Sequence, residues 1–398
     1  MTDFTISSFN VKNLIGADQE YYTYESYTPE EYAWKEDWLA DQMVTLNADI
    51  VGFQEIFEQP ALYAVIDEAN QRGAELNDAV IPDKSKKYHR KAIFRKLAYE
   101  KYDNGSLFFA PNAFDGGPGN RRPGLAMLSR FGYAEDPEVL QDLPESMTIN
   151  FPHIGGGEAG SYTLTRTSRP IIKAKIPVGG QVVTVFNCHL KSKLGEFIRP
   201  DGAAFAPEAD LVNYDPLGRA IGELRSMLRR TAEAVVLRRW IIEELREGNP
   251  VVVLGDLNDS DNAVSSAVIT GERPFKNYSW MRRHNPEHRS DRYTKEENEI
   301  IQNAVEDMRL TSAEKLFVRK SLRDMVYTSA FGGVFESIDQ ILLSRHFHPD
   351  NPGAIGSMEY FSVLNDHITD GSHAEAPYNK LASDHGQIMA HISLKGTE

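Results

Sequence analysis

The chain has 398 residues, 43 basic and 58 acidic, for a net charge of −15; hydrophobic residues make up 41% and charged residues 25%. These proportions exclude a disordered chain, a collagen-like fibre and a polytopic membrane protein, while the length accommodates one large domain or two to three ordinary ones. The single cysteine, Cys188, excludes an intramolecular disulfide framework and a Cys-based zinc site, and the negative charge argues against generic adhesion to nucleic acid or anionic lipid.

The N-terminus lacks a basic n-region and an apolar h-region, so no signal peptide is predicted. No run of about 18 apolar residues exists to span a membrane. With one thiol, a cytoplasmic location is the expectation; a secreted protein trimmed to its mature start would read the same. The first predicted strand is Phe4 to Asn10, followed by a helix from Pro29 to Asn47. Thr28 is its N-cap, Pro29 its first helical residue and Glu31 the third, the pattern of a capping box. A second strand runs from Asp49 to Gln54.

Between Lys84 and Lys101 lie eight basic residues and one acid, Glu100. Further strands are predicted at Leu125 to Ser129, Ile171 to Ile176 and Val182 to Cys188. Gly218 to Glu247 reads as a long amphipathic helix, with Ile221, Leu224, Leu228, Val235, Ile242 and Leu245 near one face. It carries seven arginines against four glutamates between Arg219 and Arg246. Together with the earlier basic stretch it presents either solvated helix faces or a groove for a polyanion. Strands Val251 to Leu254, Ile338 to Leu343 and Gln387 to Ile392 follow. The polar, less regular stretches at about 194–216 and 271–320 read as insertions into one domain spanning 1–398. Strand–helix–strand alternation locally suggests an α/β protein with a doubly wound parallel sheet.

The informative polar residues sit at strand ends, where open sheets gather ligands. Asn10 and Glu55 end the first two strands. His189 follows Val182–Cys188, Asp256 and Asn258 follow Val251–Leu254, Asp339 opens a strand, and Asp384 and His385 precede the last one. Taken singly, each is more often a turn former, a cap or a structural histidine. As a set they offer hard oxygen ligands and two histidines without a Cys cluster or a His-x-x-x-His pair. That donor chemistry suits Mg²⁺, Mn²⁺ or Ca²⁺ rather than structural zinc.

Six segments in order carry a resemblance: Phe9-Asn10, Gln54-Glu55, Asn187-Cys188-His189-Leu190, Gly255-Asp256-Leu257-Asn258, Ser337-Ile338-Asp339-Gln340-Ile341-Leu342 and Ser383-Asp384-His385-Gly386. The chain resembles the endonuclease/exonuclease/phosphatase superfamily of DNase I-like and exonuclease III-like metal-dependent phosphoesterases. The resemblance implies an α+β fold, a four-layer sandwich of two mainly antiparallel sheets packed face to face and flanked by helices, in place of the doubly wound sheet. It implies a divalent-metal-dependent phosphodiesterase, with Glu55, Asn10 and Asp384 toward the metal. Asp339 and His385 resemble an orienting pair in which His385 takes the proton from water. His189 is the candidate acid or oxyanion donor, and Asp256 and Asn258 position water and phosphate. Members differ on whether the Asp of Gly-Asp-x-Asn or the His of Asp-His is the base.

Arg122 and Arg169, just before predicted strands, are candidates to clamp a phosphate oxygen. His367 reads as a loop residue and Cys188 as core packing. For substrate, a nuclease is the leading expectation, with Tyr21, Tyr22, Tyr24 and Tyr27 available to stack on bases or to pack an insertion. The alternative is a phosphatase or a phospholipase C-like hydrolase, the latter expected to show an exposed apolar hairpin with aromatics, and none is evident in the sequence. An inactive binding member is the reading of another class; the completeness of the polar set argues against it.

Overall fold

Runs of β-branched and aromatic residues pair through their backbones, and the alternation of their side chains decides what each face packs against. A computed structural model of the chain describes residues 2–78, 98–151, 160–199, 202, 204–281, 292–320, 326–373, 375 and 379–395. Among the described residues two six-stranded sheets form. In the first, the order is β13 (Gly356–Leu364), β14 (Gln387–Leu394), β1 (Thr2–Leu14), β2 (Ile50–Ile56), β4 (Gly124–Ser129) and β3 (Leu107–Ala110). In the second it is β5 (Glu138–Phe151), β6 (Gly160–Val178), β7 (Gln181–His189), β8 (Val251–Asp256), β12 (Asp339–Ser344) and β9 (Leu310–Ser312). Each sheet has one parallel pair, β1 with β2 and β7 with β8, and is otherwise antiparallel. The mainly antiparallel architecture is thus the fold, and the parallel doubly wound sheet suggested by local alternation is not.

Side-chain period two builds the layers. Val183, Val185, Val252 and Leu254 point inward to meet Phe4, Ile6, Leu125 and Met127 of the first sheet. Their neighbours Phe186, Cys188, Val251 and Val253 point outward onto the long helix α3 (Pro216–Arg246). On the other side, α1 (Pro29–Leu46) and α2 (Gln59–Asp78) bury Leu39, Met43, Leu62 and Val65 against Phe9, Val51, Phe53 and Leu128. The result is four layers: helices, sheet, sheet, helices. Helix α1 starts as expected, with Thr28 and Glu31 forming the reciprocal capping box. Shorter helices α4 (Val264–Thr270), α5 (Lys295–Asp307) and α6 (Ala313–Lys320) follow β8. Among the described residues no helix is long and apolar enough to cross a membrane.

Gly52 shows how closely the sheets approach. A Cβ there would lie 2.1 Å from Leu254 Cδ1 and 2.9 Å from Asn187 Cγ across the interlayer. Asn187 cannot retreat easily, because its amide donates to the carbonyls of Phe53 (3.1 Å) and Ala126 (2.9 Å) and accepts from Gln54 (2.7 Å). Gly52→Ala is therefore expected to destabilise by about 1–3 kcal/mol, the usual cost of overpacking, measured by urea unfolding.

The apolar face expected for α3 differs from the buried one. Leu224 and Val235 are exposed, whereas Arg225, Ser226, Arg230, Glu233, Leu237, Trp240 and Ile241 are buried. The N-terminal half of the helix buries charge rather than hydrocarbon, and loop carboxylates neutralise it. Arg225 pairs with Glu208, Arg229 with Glu196, and Arg230 with Asp259. Arg238 donates to the carbonyls of Ile269 and Met308. These arginines hold the fold together internally and are committed before any polyanion arrives. Of the basic residues in the other stretch, Lys84 to Lys101, all but Lys101 lie outside the described residues.

Candidate active site

The register of the second sheet assembles the first row of polar residues. In the parallel pair β7–β8, His189 is opposite Asp256; in the antiparallel pair β8–β12, Asp256 is opposite Asp339. Residues opposite one another share a face, so three side chains stand side by side across three strands. His189 Nε2 lies 3.2 Å from Asp256 Oδ2. Asn10 and Glu55 come from the ends of β1 and β2 in the facing sheet. Asn10 Nδ2 donates to Asp256 Oδ2 at 3.1 Å and to Glu55 Oε1 at 3.2 Å, joining the two sheets. His385, in the turn before β14, completes the set: Nδ1 meets Asp339 Oδ2 at 2.8 Å, and Nε2 lies 3.8 Å from Asp256 Oδ2.

Backbone strain concentrates here. Four of the seven non-glycine residues with positive φ among those described are Lys12, Asn13, Glu55 and Asn258. Glu55 occupies a bulge where β2 slips against β4, between the pairs Gln54–Leu125 and Ile56–Gly124. The bulge turns its carboxylate toward Asn10 and the Asn13 amide, which donates to Oε2 at 3.1 Å. Bulges and left-handed non-glycine residues persist where surrounding contacts hold them, and they re-aim side chains at functional sites.

Burial and crowded charge set the protonation states. Burial, with Asp339 and Glu55 nearby, pushes the Asp256 carboxyl up to about 7, against the lowering influence of His385 and the Asn258 amide. Burial and then Arg169 and His385 hold His189 well below the ordinary imidazole value, which makes it a neutral hydrogen-bonding group. Burial alone would lower His385 too, but the charges of Asp339 and Asp256 outweigh it and raise the imidazole well above the ordinary value.

The donor set fits a divalent cation. Ligand atoms of Asp256, Asp339 and His385 all lie within 4.8 Å of one another. Asp339 Oδ1 is buried without a hydrogen-bond partner among the described residues. Asp256 and Glu55 converge on one amide nitrogen, and oxygen-rich sites of this kind suit hard ions.

Not every expected residue joins the set. The Asp384 side chain is 54% exposed and faces Lys12 Nζ at 3.7 Å. Asn258 donates its amide to the Leu190 carbonyl at 3.0 Å, where Arg169 Nη1 also donates at 3.0 Å. Both therefore brace the strand end that carries His189. Arg122 is exposed. Its charge and that of Arg169 act on the half-buried Tyr22, opposing Glu55. Tyr21 and Tyr27 are packed with Ile15 and Phe57 and cannot stack on a ligand, while Tyr24 is exposed. Cys188 is core, as expected. His367 does more than fill a loop: its Nε2 contacts the His385 carbonyl at 3.0 Å, and its ring packs edge-on against Trp38.

Sequence reasoning missed the hairpin of β10 (Ser329–Phe331) and β11 (Val334–Glu336). Phe331, Val334 and Phe335 on it are more than half exposed. Thr328 at its base accepts from the Asp339 amide through Oγ1 (3.1 Å) and from the Gly386 amide through its carbonyl (2.8 Å). An exposed apolar hairpin with aromatics thus stands next to the Asp339–His385 pair, contrary to the expectation that there is none. The Gly332-Gly333 turn was the available signal. Glu233 of α3 was also missed. It is buried and accepts from the Ser168 amide at 2.7 Å and the Lys191 amide at 2.9 Å, beside Arg169 and His189.

No curated protein matches the sequence. Solved structures similar to the chain include the human nocturnin catalytic domain with bound sulfate, at 13% identity and TM-score 0.44, covering 99% of this chain and 95% of that one. A mannosyl-6-phosphatase of Bacteroides thetaiotaomicron aligns at 12% identity and TM-score 0.44, covering 98% and 100%. An endonuclease/exonuclease/phosphatase family protein from Leptotrichia buccalis aligns at 13% and 0.43, covering 98% and 100%. The model of the endonuclease/exonuclease/phosphatase family matches residues 8–385, the span that contains every residue of the site, and the chain belongs to that family.

Proposed function

We propose that the protein is a divalent-metal-dependent phosphodiesterase in which the whole chain serves as one catalytic domain. Family membership supports phosphoester hydrolysis. The observation that carries the finer reading is the row His189–Asp256–Asp339 joined to Asn10, Glu55 and His385. Glu55 and Asp256, with Asn10 beside them, would hold the ion; Asp384 would reach it only by turning inward from its exposed position. When bound, Mg²⁺ or Mn²⁺ would offset phosphate charge and favour the neutral form of His385.

The chain's own groups do the rest. Asp339 fixes the Nδ1 proton of His385, leaving Nε2 to face Asp256 across 3.8 Å. A water held between these two atoms gives up its proton to the pair, which titrates jointly. His189, neutral, donates a hydrogen bond to the leaving oxygen without adding charge. Asn10 aligns Asp256 and Glu55.

Nucleic acid is the first substrate class. Tyr22 offers a ring within electrostatic reach of Glu55, Arg169 and Arg122, a grouping that suits a base next to a phosphate. The exposed hairpin favours a second reading, a diester bearing an apolar group such as a phospholipid. A panel of plasmid and single-stranded DNA, RNA, an aryl phosphodiester, an aryl monoester and a sphingomyelin analogue separates these readings. Polymer cleavage is expected. Cleavage of the lipid analogue alone would move the assignment to the second reading, and monoester cleavage alone would remove the diesterase. Excess chelator is expected to abolish activity reversibly, with Mg²⁺ or Mn²⁺ restoring it; full activity in chelator would remove the ion from the scheme.

A further inference from the structure

Lys35 lies in the middle of α1 and is completely buried. A lysine rarely enters a core unless its ammonium has work to do there. Its Nζ donates to two backbone carbonyls, Val11 O at 3.0 Å and Leu381 O at 3.1 Å, and lies 5.5 Å from the centre of the Tyr27 ring. Burial pushes the ammonium down to about 7, with Lys12 adding to the effect and Glu55 and Asp384 opposing it. The charge therefore lies within electrostatic reach of the site.

The two acceptors belong to the two segments that the site must hold together. Val11 follows Asn10, at the point where β1 leaves its neighbours. The β14 pairing ends at Ser8, and the β2 pairing jumps from Asn10–Gln54 to Leu14–Ile56. The carbonyl of Val11 thus falls in an irregular stretch that also holds the positive-φ residues Lys12 and Asn13. Leu381 opens the turn that delivers Ser383, Asp384 and His385. A second link runs alongside: Ser383 Oγ donates to the Asn10 carbonyl at 2.7 Å and accepts from the His385 amide at 3.0 Å.

We propose that Lys35 is a positioning residue: its ammonium ties the Asn10 end of β1 to the 381–385 turn, and so fixes the relative placement of Asn10 and His385. The inference rests on the phosphodiesterase reading for its catalytic consequence but not for the tether itself. Misplacing a reacting group by about 1 Å can cost on the order of 10²-fold in rate. Lys35→Met keeps the length and apolar stem while removing the donors.

The test uses the full-length protein. Lys35→Met is expected to lower kcat on the aryl phosphodiester by about 10–100-fold with KM within about threefold. Amide exchange should rise in peptides covering 380–387 and stay unchanged in β6 and β7. Lys35→Gln, which retains a donor on a shorter stem, should fall between the variant and wild type. A purely structural lysine would lower the melting temperature and leave both kcat, read well below melting, and the exchange of 380–387 as in wild type; that result overturns the proposal. If Lys35→Met does not fold, Lys35→Gln is read in the same way. Wild type inactive on every ester, with faster exchange at 380–387 in the variant, would refute the phosphodiesterase reading and leave the tether standing.

Discussion

His385→Ala is expected to lower kcat by about 10²–10⁴, the usual worth of a positioned acid–base group, with the circular dichroism spectrum unchanged. The size of the expected loss follows from how firmly the imidazole is held. Its backbone amide donates to Ser383 Oγ at 3.0 Å, its carbonyl meets His367 Nε2 at 3.0 Å, and Nδ1 is fixed on Asp339 at 2.8 Å. Only Nε2 is left toward Asp256 and Asn10, at 3.8 and 3.4 Å. Asp339→Asn should cost less than the alanine variant, because the imidazole stays in place while its tautomer and basicity change. His189→Ala is expected to fall in the same range as His385→Ala, since His189 shares Asp256 with it. Turnover within about fivefold of wild type for both His385→Ala and His189→Ala would remove the two histidines from the chemistry.

What could be read from the sequence was local. Strand cores showed as β-branched runs, and the Thr28–Glu31 capping box fixed the start of α1. The site residues stood at strand ends in a recognisable order, and strand register then brought His189, Asp256 and Asp339 into one row. What escaped was information shared between distant segments. Periodicity counts hydrocarbon, so it selected Leu224 and Val235 on α3. It could not see that Glu208 and Asp259 let Arg225 and Arg230 take the buried positions. Lys35 and Glu233 were invisible for the same reason: their partners are backbone groups of segments far away in the chain. Asp384 shows the converse. Its motif neighbour His385 is turned inward by Ser383 and Asp339, while Asp384 itself is left facing Lys12. The hairpin was missed for a simpler reason, since each of its strands is only three residues long.

Asp256→Asn is expected to be nearly inactive and, without metal, to gain stability relative to wild type as pH rises. Asp256 is 1% exposed and is the point on which the row converges. Its Oδ2 receives Asn10 and approaches both histidines, and its Oδ1 accepts from the Asn258 amide at 2.8 Å. An asparagine would turn either an NH₂ toward these donors or an oxygen toward them without charge. The proton acceptor and the ion ligand are lost together, for an expected drop of about 10²–10⁴ in kcat and weaker metal binding. Stability moves the other way. The folded carboxyl titrates at about 7, against an ordinary value of 3.8. Between these values the native state binds the proton that the unfolded state has released, so wild-type stability falls as pH rises from about 4 to about 7. Asparagine carries no such proton. The variant should therefore gain on wild type across that window and hold its advantage above it, by about 1–4 kcal/mol, with the coupling to His385 reducing the gain from the upper end. Urea unfolding in excess chelator at pH 4.5 and pH 8 measures the difference. A variant no better relative to wild type at pH 8 than at pH 4.5 would mean that the Asp256 carboxylate is already compensated within the fold. In that case the strain this site holds for a cation would have to lie elsewhere, at Glu55 or Asp339.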